Sequence, residues 1–450
     1  MMQDAFFCTV GELAAMGREN IPPQFISGAH LIYSSPATLA FNSPGAEGFG
    51  VKRAGLAIPD SIMLIVAPGC CGRNTSLISS MREYDQRFFY LMMDETDIVT
   101  GRHLKKIPKA VKEICESLEK KPSVVMICIT CVDALLGTDM ERVCRKAEEA
   151  AGLPVRPCYM YALTREGRKP PMVHVRQSLY SLLEPRKKKG NVVNLLGFFS
   201  PLVDDCELYD LLYQAGVKTI HEISACRDYE EYQTMSEANF NLVLHPEARF
   251  AAEDFHDRLK IPFIELTRLY QIDKIGSQYR AFGKVLGMTF DDQAAAESAQ
   301  KAVDAFRVQY PEASFAVGEC MNGDAFELSL ALVRYGFKVP EIYGTITAEN
   351  FIYIKQLAAI SPETRVYSNM EPTMLYYDGE NSGVNMAIGK DAAYYHQNCP
   401  NVMWNQDRQP YGYAGVRRLF EALTEAENRC LRFTAPSPLR TLFISSSWRL

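Results

Sequence analysis

One order of local patterns occurs three times in this chain and restricts its fold more than any other feature. Each copy has an apolar or β-branched run, a loop, an amphipathic helix pattern, a glycine and a second extended run. The copies begin at Ser123, at Asn191 and near Ser314. Continuous apolar strands alternating with helices are typical of parallel sheets covered on both faces and joined by right-handed crossovers. We therefore predict an α/β protein of three Rossmann-like units, with parallel sheets flanked by helices and a cleft between the domains.

The ends of the three helix patterns carry the same residue types. An aspartate precedes or opens each helix, where its carboxylate can accept hydrogen bonds from free backbone N–H groups, and a glycine follows the last turn. The aspartates are Asp139, Asp204 with Asp205, and Asp324. Open parallel sheets bind ligands beyond the carboxyl ends of their strands. The loops after Ile129, Gly197 and Val317 are therefore the predicted sites.

A charged run at 184–190 separates the first copy from the second and has the composition of a solvated linker. A second boundary is expected near residue 300. We therefore predict an N-terminal α/β domain at 1–188, a middle α/β domain at 189–300 and a C-terminal α/β domain at 301–430. Residues 431–450, rich in proline and serine, are predicted to be an extension.

Composition excludes several classes of protein. The formal net charge of −6 offers no broad basic face for a phosphate backbone, so nucleic acid is not the expected partner. The most apolar segments, 61–71 and 124–131, fall short of the roughly 18 to 20 residues that cross a bilayer. The start of the chain lacks the pattern of a secretory signal, and 13 cysteines is an odd number. We expect a cytoplasmic protein with no membrane span and with thiols available to bind metal.

Two cysteines stand where apolar runs end. Cys71 follows a Pro68-Gly69 turn, and Cys131 follows the run 124–130. Thiolates at two strand ends of one unit are suited to binding a shared iron-sulfur cluster. Two alternatives remain open from the residues alone, because buried cysteines often serve only as small apolar side chains and because Cys70 adjoins Cys71.

The residues around Cys131 carry a resemblance to a known family. The stretch 94–101 reads Asp-Glu-Thr-Asp-Ile-Val-Thr-Gly and is followed by Leu-Lys-Lys at 104–106. Thr130-Cys131 then leads to Gly137-Thr138-Asp139, and further segments such as Gly152-Leu-Pro-Val and Val175-Arg-Gln-Ser follow in order. This succession resembles the nitrogenase component 1 family over roughly residues 40 to 425.

The resemblance implies a metal centre at a subunit interface. By it, Cys71 and Cys131 are cluster ligands, with Cys70 as a third ligand or as the replacement for Cys71. Where the catalytic nitrogenase subunit has a further cysteine upstream, segment 43–48 contains no thiol. A 4Fe-4S cluster that takes two cysteines from each of two subunits is therefore expected rather than a P-cluster.

The resemblance also addresses a second site. In the catalytic nitrogenase subunit two protein side chains hold the iron-molybdenum cofactor, and the matching positions here are His245 and Trp404. Neither that cofactor nor dinitrogen reduction is therefore expected. A second metallocofactor of another kind is an alternative. His245 can ligate a metal, contact substrate or shuttle a proton, or simply pack beside Pro246. Arg176 and Gln177 match the family's cofactor pocket, which implies that Gln177 binds the cofactor and that Arg176 acts catalytically in a pocket for an anionic substrate. Pairing at the surface is the alternative for Arg176.

The implied function is that of an oxidoreductase subunit of component 1 type. Its partners would be a homologous or identical subunit, an ATP-dependent reductase resembling the iron protein, and a small-molecule substrate. The sequence has no P-loop of the Gly-x-x-x-x-Gly-Lys-Ser/Thr form, so a partner must hydrolyse the ATP. Two further hypotheses are a scaffold for metallocluster assembly and transfer, and an α/β binding protein without metal.

Overall fold

The computed structural model describes residues 4–26, 35–37, 50–69, 84, 86–159, 169–379 and 381–434. The strands in these ranges form three sheets, one for each predicted unit, so the predicted α/β class is confirmed. The chain begins with β1 (Phe7–Thr9) and α1 (Val10–Met16).

The first unit is built on a parallel sheet. Its elements are α2 (Val51–Ala54), β2 (Ile62–Ala67), β3 (Phe88–Met92), α3 (Glu95–Thr100), α4 (His103–Ser117), β4 (Val125–Ile129), α5 (Cys131–Leu135), α6 (Met140–Ala151), β5 (Val155–Tyr159) and α7 (Pro171–Tyr180). The strand order is β3-β2-β4-β5, and every pair is parallel. Alternate residues of β2 pack into two different hydrophobic cores, one on each face of the sheet. This two-sided burial explains the continuous apolar runs in the sequence.

The second unit repeats this arrangement. Its elements are β6 (Val192–Leu196), α8 (Glu207–Gln214), β7 (Thr219–His221), α9 (Tyr229–Thr234), β8 (Phe240–Val243), α10 (Arg249–Leu259), β9 (Phe263–Glu265) and α11 (Ile272–Leu286). The four strands are parallel in the order β7-β6-β8-β9.

The third unit has the largest described sheet. Its elements are α12 (Gln293–Gln309), β10 (Ser314–Val317), α13 (Ala325–Arg334), β11 (Lys338–Tyr343), α14 (Phe351–Ala358), β12 (Arg365–Tyr367), β13 (Met386–Ile388), α15 (Lys390–Tyr395), β14 (Asn401–Val402) and α16 (Gly412–Thr434). The six strands run in the order β1-β12-β11-β10-β13-β14. β1 pairs antiparallel with β12, and the other neighbours are parallel.

The position of β1 differs from the predicted arrangement, because a strand from the first ten residues completes the C-terminal sheet. The boundaries near 188 and 300 stay predictions, and segment 184–190 is irregular between α7 and β6. Of the predicted extension, only the end of α16 falls within the described residues. No described helix combines the length and apolarity needed to span a lipid bilayer.

The predicted helix caps are confirmed in two copies and wrong in one. Asp139 accepts from a backbone N–H of α6 at 3.0 Å, and Asp324 accepts from two N–H groups of α13 at 2.9 Å. In the second copy no side chain caps α8. Asp205 instead pairs with Arg417 and Arg418 of α16, because two arginines compete successfully for its carboxylate.

Candidate functional site

A cavity of about 710 Å³ lies where the three units meet. The first unit contributes α7 to its wall. The second contributes the loops after β6, β8 and β9, and the third contributes the loops after β10 and β11. Each of these loops leaves the carboxyl end of a parallel strand, which is where such folds bind ligands. The predicted loops after Gly197 and Val317 are thus part of the cavity wall, whereas the loop after Ile129 contributes no lining residue within the described chain.

Gly197 allows the loops after β6 and β8 to approach each other. Its φ is +137°, and a Cβ atom built there would lie 2.8 Å from the backbone nitrogen of His245. The carbonyl oxygen of Gly197 accepts hydrogen bonds from Arg176 Nε at 3.0 Å and Nη2 at 2.6 Å. Arg176 is only 4% exposed, so its guanidinium is buried rather than on the surface.

Arg176 connects the first unit to the second at the edge of the cavity. Its Nη1 donates to Glu247 Oε2 at 2.7 Å and to the carbonyl oxygen of Met172 at 2.9 Å. The guanidinium carbon lies 4.5 Å from the centroid of the Phe199 ring, within cation–π range. Burial lowers the pKa of Arg176, and the nearby Glu247 carboxylate opposes that shift. A group with an ordinary pKa above 12 remains charged, so Arg176 is a buried, fully engaged cation.

His245 follows β8 and lines the cavity. Its Nδ1 accepts a hydrogen bond from the backbone N–H of Glu247 at 3.3 Å, and its ring meets Phe198 edge-on at a centroid distance of 5.9 Å. Withdrawal from water lowers the pKa of His245 well below its usual value, and the charges of Arg176 and Arg268 lower it further. The imidazole is therefore neutral at pH 7. Since Nδ1 accepts, Nε2 carries the proton and is a donor.

Gln177 and Trp404 are not among the residues that line the cavity. Gln177 donates to Asp254 at 2.6 Å and accepts from Lys169 at 2.8 Å. Trp404 is buried, and its Nε1 donates to the hydroxyl of Tyr270 at 2.6 Å. Trp404 therefore reaches the cavity lining through Tyr270, whereas both hydrogen bonds of Gln177 are exposed.

The third unit supplies acidic and amide groups to the cavity wall, and sequence reasoning did not identify them as site residues. The six are Asn322, Asp324, Glu327, Glu349, Asn350 and Gln409. Glu327 is 1% exposed, and burial raises its pKa to about 7 despite bonds from the N–H of Tyr270 and from Gln271. The rule that ligands bind beyond the carboxyl ends of parallel strands, here called the strand-end rule, pointed to the loop after β10. It could not identify the acid, because Glu327 lies one helical turn further on.

Of the predicted cluster ligands, Cys131 is the first residue of α5 and follows β4. Cys70 and Cys71 lie outside the described residues, and so does the side chain of Cys131. The hydroxyl of Thr130 is buried and has no hydrogen-bond partner within the described part of the chain. Cys128 is buried in β4 opposite Cys158 of β5, in the core of the sheet.

A buried network holds α4 against α5 beside Cys131. Asp133 Oδ1 accepts from the Thr138 hydroxyl at 2.9 Å and contacts His103 Nε2 at 2.9 Å. His103 Nδ1 lies 3.0 Å from the carbonyl oxygen of Asp97. These contacts give a structural role to residues in the segment around Cys131 that resembles the nitrogenase component 1 family. Across the described residues, no group of three or more His, Cys, Asp or Glu side chains is arranged to hold a metal ion.

The fold and the cavity together define a class: a protein of three parallel α/β units that meet around a cavity lined by strand-end loops. Residues 47–427 match the family described as nitrogenase component 1 type oxidoreductase. The chain belongs to this family.

Two kinds of relative are similar to the chain. The nitrogenase iron-molybdenum cofactor biosynthesis protein NifE of Rhizobium meliloti (strain 1021) is 29% identical over 240 residues, 52% of this chain and 50% of that protein. NifE of Klebsiella pneumoniae is 26% identical over 266 residues, 54% of this chain and 58% of that protein. The matches thus span only about half the length of these relatives. The solved structure titled nitrogenase Cp1 at pH 6.5 has a TM-score of 0.67 at 18% identity, covering 94% of this chain and 98% of that one, and shows a shared fold.

Proposed function

We propose that this chain is a redox subunit of component 1 type that binds a small molecule in the cavity and receives electrons through an interface iron-sulfur cluster. The cavity carries the proposal, because strand-end loops of three units converge on a space of about 710 Å³ lined by cationic, imidazole and acidic side chains. Such a mixture of apolar walls and few polar groups is typical of small-molecule sites.

The proposed cluster is a 4Fe-4S centre held by Cys71 and Cys131, with Cys70 as the alternative to Cys71 and with a second subunit supplying the remaining thiolates. When bound, this centre supplies single-electron transfer. The Thr130 hydroxyl beside Cys131 fits such a group, because it is a buried donor whose acceptor is not in the described chain. Cluster sulfurs accept hydrogen bonds of this kind.

The residues of the cavity have distinct roles in the proposal. His245 offers its Nε2 proton to the bound molecule, since its Nδ1 already accepts from a backbone N–H. Arg176 positions the Gly197 loop rather than touching the reacting atoms. Trp404 orients Tyr270 against the loop that contains Asn322, and Gln177 links Lys169 to Asp254 outside the cavity.

Anaerobic purification with iron and acid-labile sulfide counts, together with electron paramagnetic resonance, tests the cluster. Cys131→Ala should lose the iron, whereas Cys144→Ala, a buried helix position packed in the core, should keep it. Cys70→Ala and Cys71→Ala identify which of the adjacent cysteines is the ligand. Unchanged iron content in Cys131→Ala would refute the ligand assignment.

A second candidate is a scaffold on which a metallocluster is assembled and passed on. The names of the curated relatives favour it, since they are cofactor biosynthesis proteins. The cavity favours the enzyme, because its described lining has an imidazole but no thiolate to hold a soft metal cluster. Turnover of a small molecule with an ATP-dependent reductase supports the enzyme. Stoichiometric loss of a cluster to an acceptor protein supports the scaffold.

A further inference from the structure

Arg268 is a second arginine of the cavity, and it lies three residues beyond the end of β9. Its guanidinium carbon is 4.4 Å from the centroid of the Phe198 ring. Its Nη2 donates to Gln409 Oε1 at 2.6 Å. These contacts fix the plane of the guanidinium at the cavity wall, with an aromatic ring on one side and an amide at one corner.

The charge of Arg268 is not balanced by the described residues. Arg176 has the carboxylate of Glu247 at 2.7 Å, whereas no described carboxylate forms an ion pair with Arg268. Its Nε is buried and has no acceptor within the described chain. A cation withdrawn from water without a counter-ion is costly to a folded protein, so this arrangement favours a ligand that supplies the negative charge.

The two cavity acids at the start of α13 are engaged with groups other than Arg268. Asp324 accepts from the first turn of α13 and from Asn350, and Glu327 accepts from the backbone of Tyr270 and from Gln271. Neither carboxylate is therefore a counter-ion for Arg268.

We propose that Arg268 is the receptor for one carboxylate group of a small organic acid bound in the cavity. This inference rests on the proposed function, since it gives the chemical class of the molecule that the cavity takes. A guanidinium held in one plane by Phe198 and Gln409 matches the planar, two-oxygen edge of a carboxylate. The Nε2–H of His245 is a second donor on the same wall.

The test is calorimetric binding of malonate at low ionic strength to the full chain, purified anaerobically. Neutral malonamide and inorganic phosphate are the comparison probes. Arg268→Gln is compared with Arg280→Gln, an exposed residue of α11 that lies outside the cavity. Malonate should bind the parent protein and Arg280→Gln with similar affinity and Arg268→Gln at least tenfold more weakly, because a charge-assisted bond is lost. Malonamide should not bind.

Equal malonate affinity in Arg268→Gln would overturn the inference, and phosphate binding tighter than malonate would overturn its choice of ligand.

The stability of Arg268→Gln gives a second readout. Gln409 Oε1 keeps its bond from Asn322 Nδ2 at 2.8 Å, so the variant should melt no lower than the parent. A marked fall in Tm would assign Arg268 a structural role instead. If the purified protein binds malonate but contains no iron, only the proposed cluster is refuted. If it contains iron but does not bind malonate, only this inference is refuted.

Discussion

Gly197 provides the sharpest test of how the cavity is built, because its backbone position brings together two loops and one buried arginine. In Gly197→Ala the new Cβ would lie 2.8 Å from the nitrogen and 2.9 Å from the Cβ of His245. Real Cβ atoms do not approach this closely, so the two loops must separate. The residue must also keep a φ of +137°, which side chains other than glycine rarely adopt.

The expected loss combines these two effects. Backbone strain at such a φ costs about 1–3 kcal/mol, and forced repacking of a tight contact costs about 1–3 kcal/mol more. We therefore expect the free energy of unfolding to fall by about 2–6 kcal/mol. Urea unfolding followed by circular dichroism measures the change. Separation of the loops should also weaken ligand binding in the cavity, because it moves the ring of His245.

Gly216→Ala is the matched control in the same unit. Gly216 has a φ of +82°, yet a Cβ there would contact nothing within 4 Å. This variant carries backbone strain without the steric contact, so its loss should be about 1–2 kcal/mol. Equal losses in the two variants would refute the proposed contact between the Gly197 and His245 loops.

Three further predictions concern buried polar groups. Arg176→Ala should lower the free energy of unfolding by about 3–5 kcal/mol, since it leaves a buried carbonyl and a carboxylate without their donor. The exposed Arg227→Ala should leave it almost unchanged in the same urea titration. Glu207→Ala removes the acceptor for two N–H groups at the start of α16 and should cost about 2–3 kcal/mol by the same measurement. Burial raises the pKa of Glu327 to about 7, so its contribution to stability is complete below pH 4.5 and is lost as the pH rises through 7, by up to about 3 kcal/mol. Unfolding measured from pH 4.5 to 8 should show this slope, and Glu327→Gln should flatten it.

Much of the secondary structure could be predicted from local pattern. The apolar runs from Ser123, Asn191 and Ser314 correspond to β4, β6 and β10, since strands buried on both faces consist mostly of apolar residues. The helix predicted from Ala325 begins there, where Asp324 caps it. The pairing of β1 with β12 could not be predicted, because a three-residue strand has too little pattern to identify a partner about 360 residues away.

Only part of the candidate site could be predicted from the sequence, because contacts between the three units determine the rest. Arg176 and His245 were found through the family resemblance, but their states depend on contacts across units that no local pattern encodes. Arg268 was missed even though the strand-end rule, applied to β9, points to it. The strands fix where the loops begin, and the loops decide which charges face the cavity. Relatives with the same fold can therefore bind different molecules when a few residues at the strand ends change. We expect substitutions of Arg268 and His245 to alter which molecule the cavity binds.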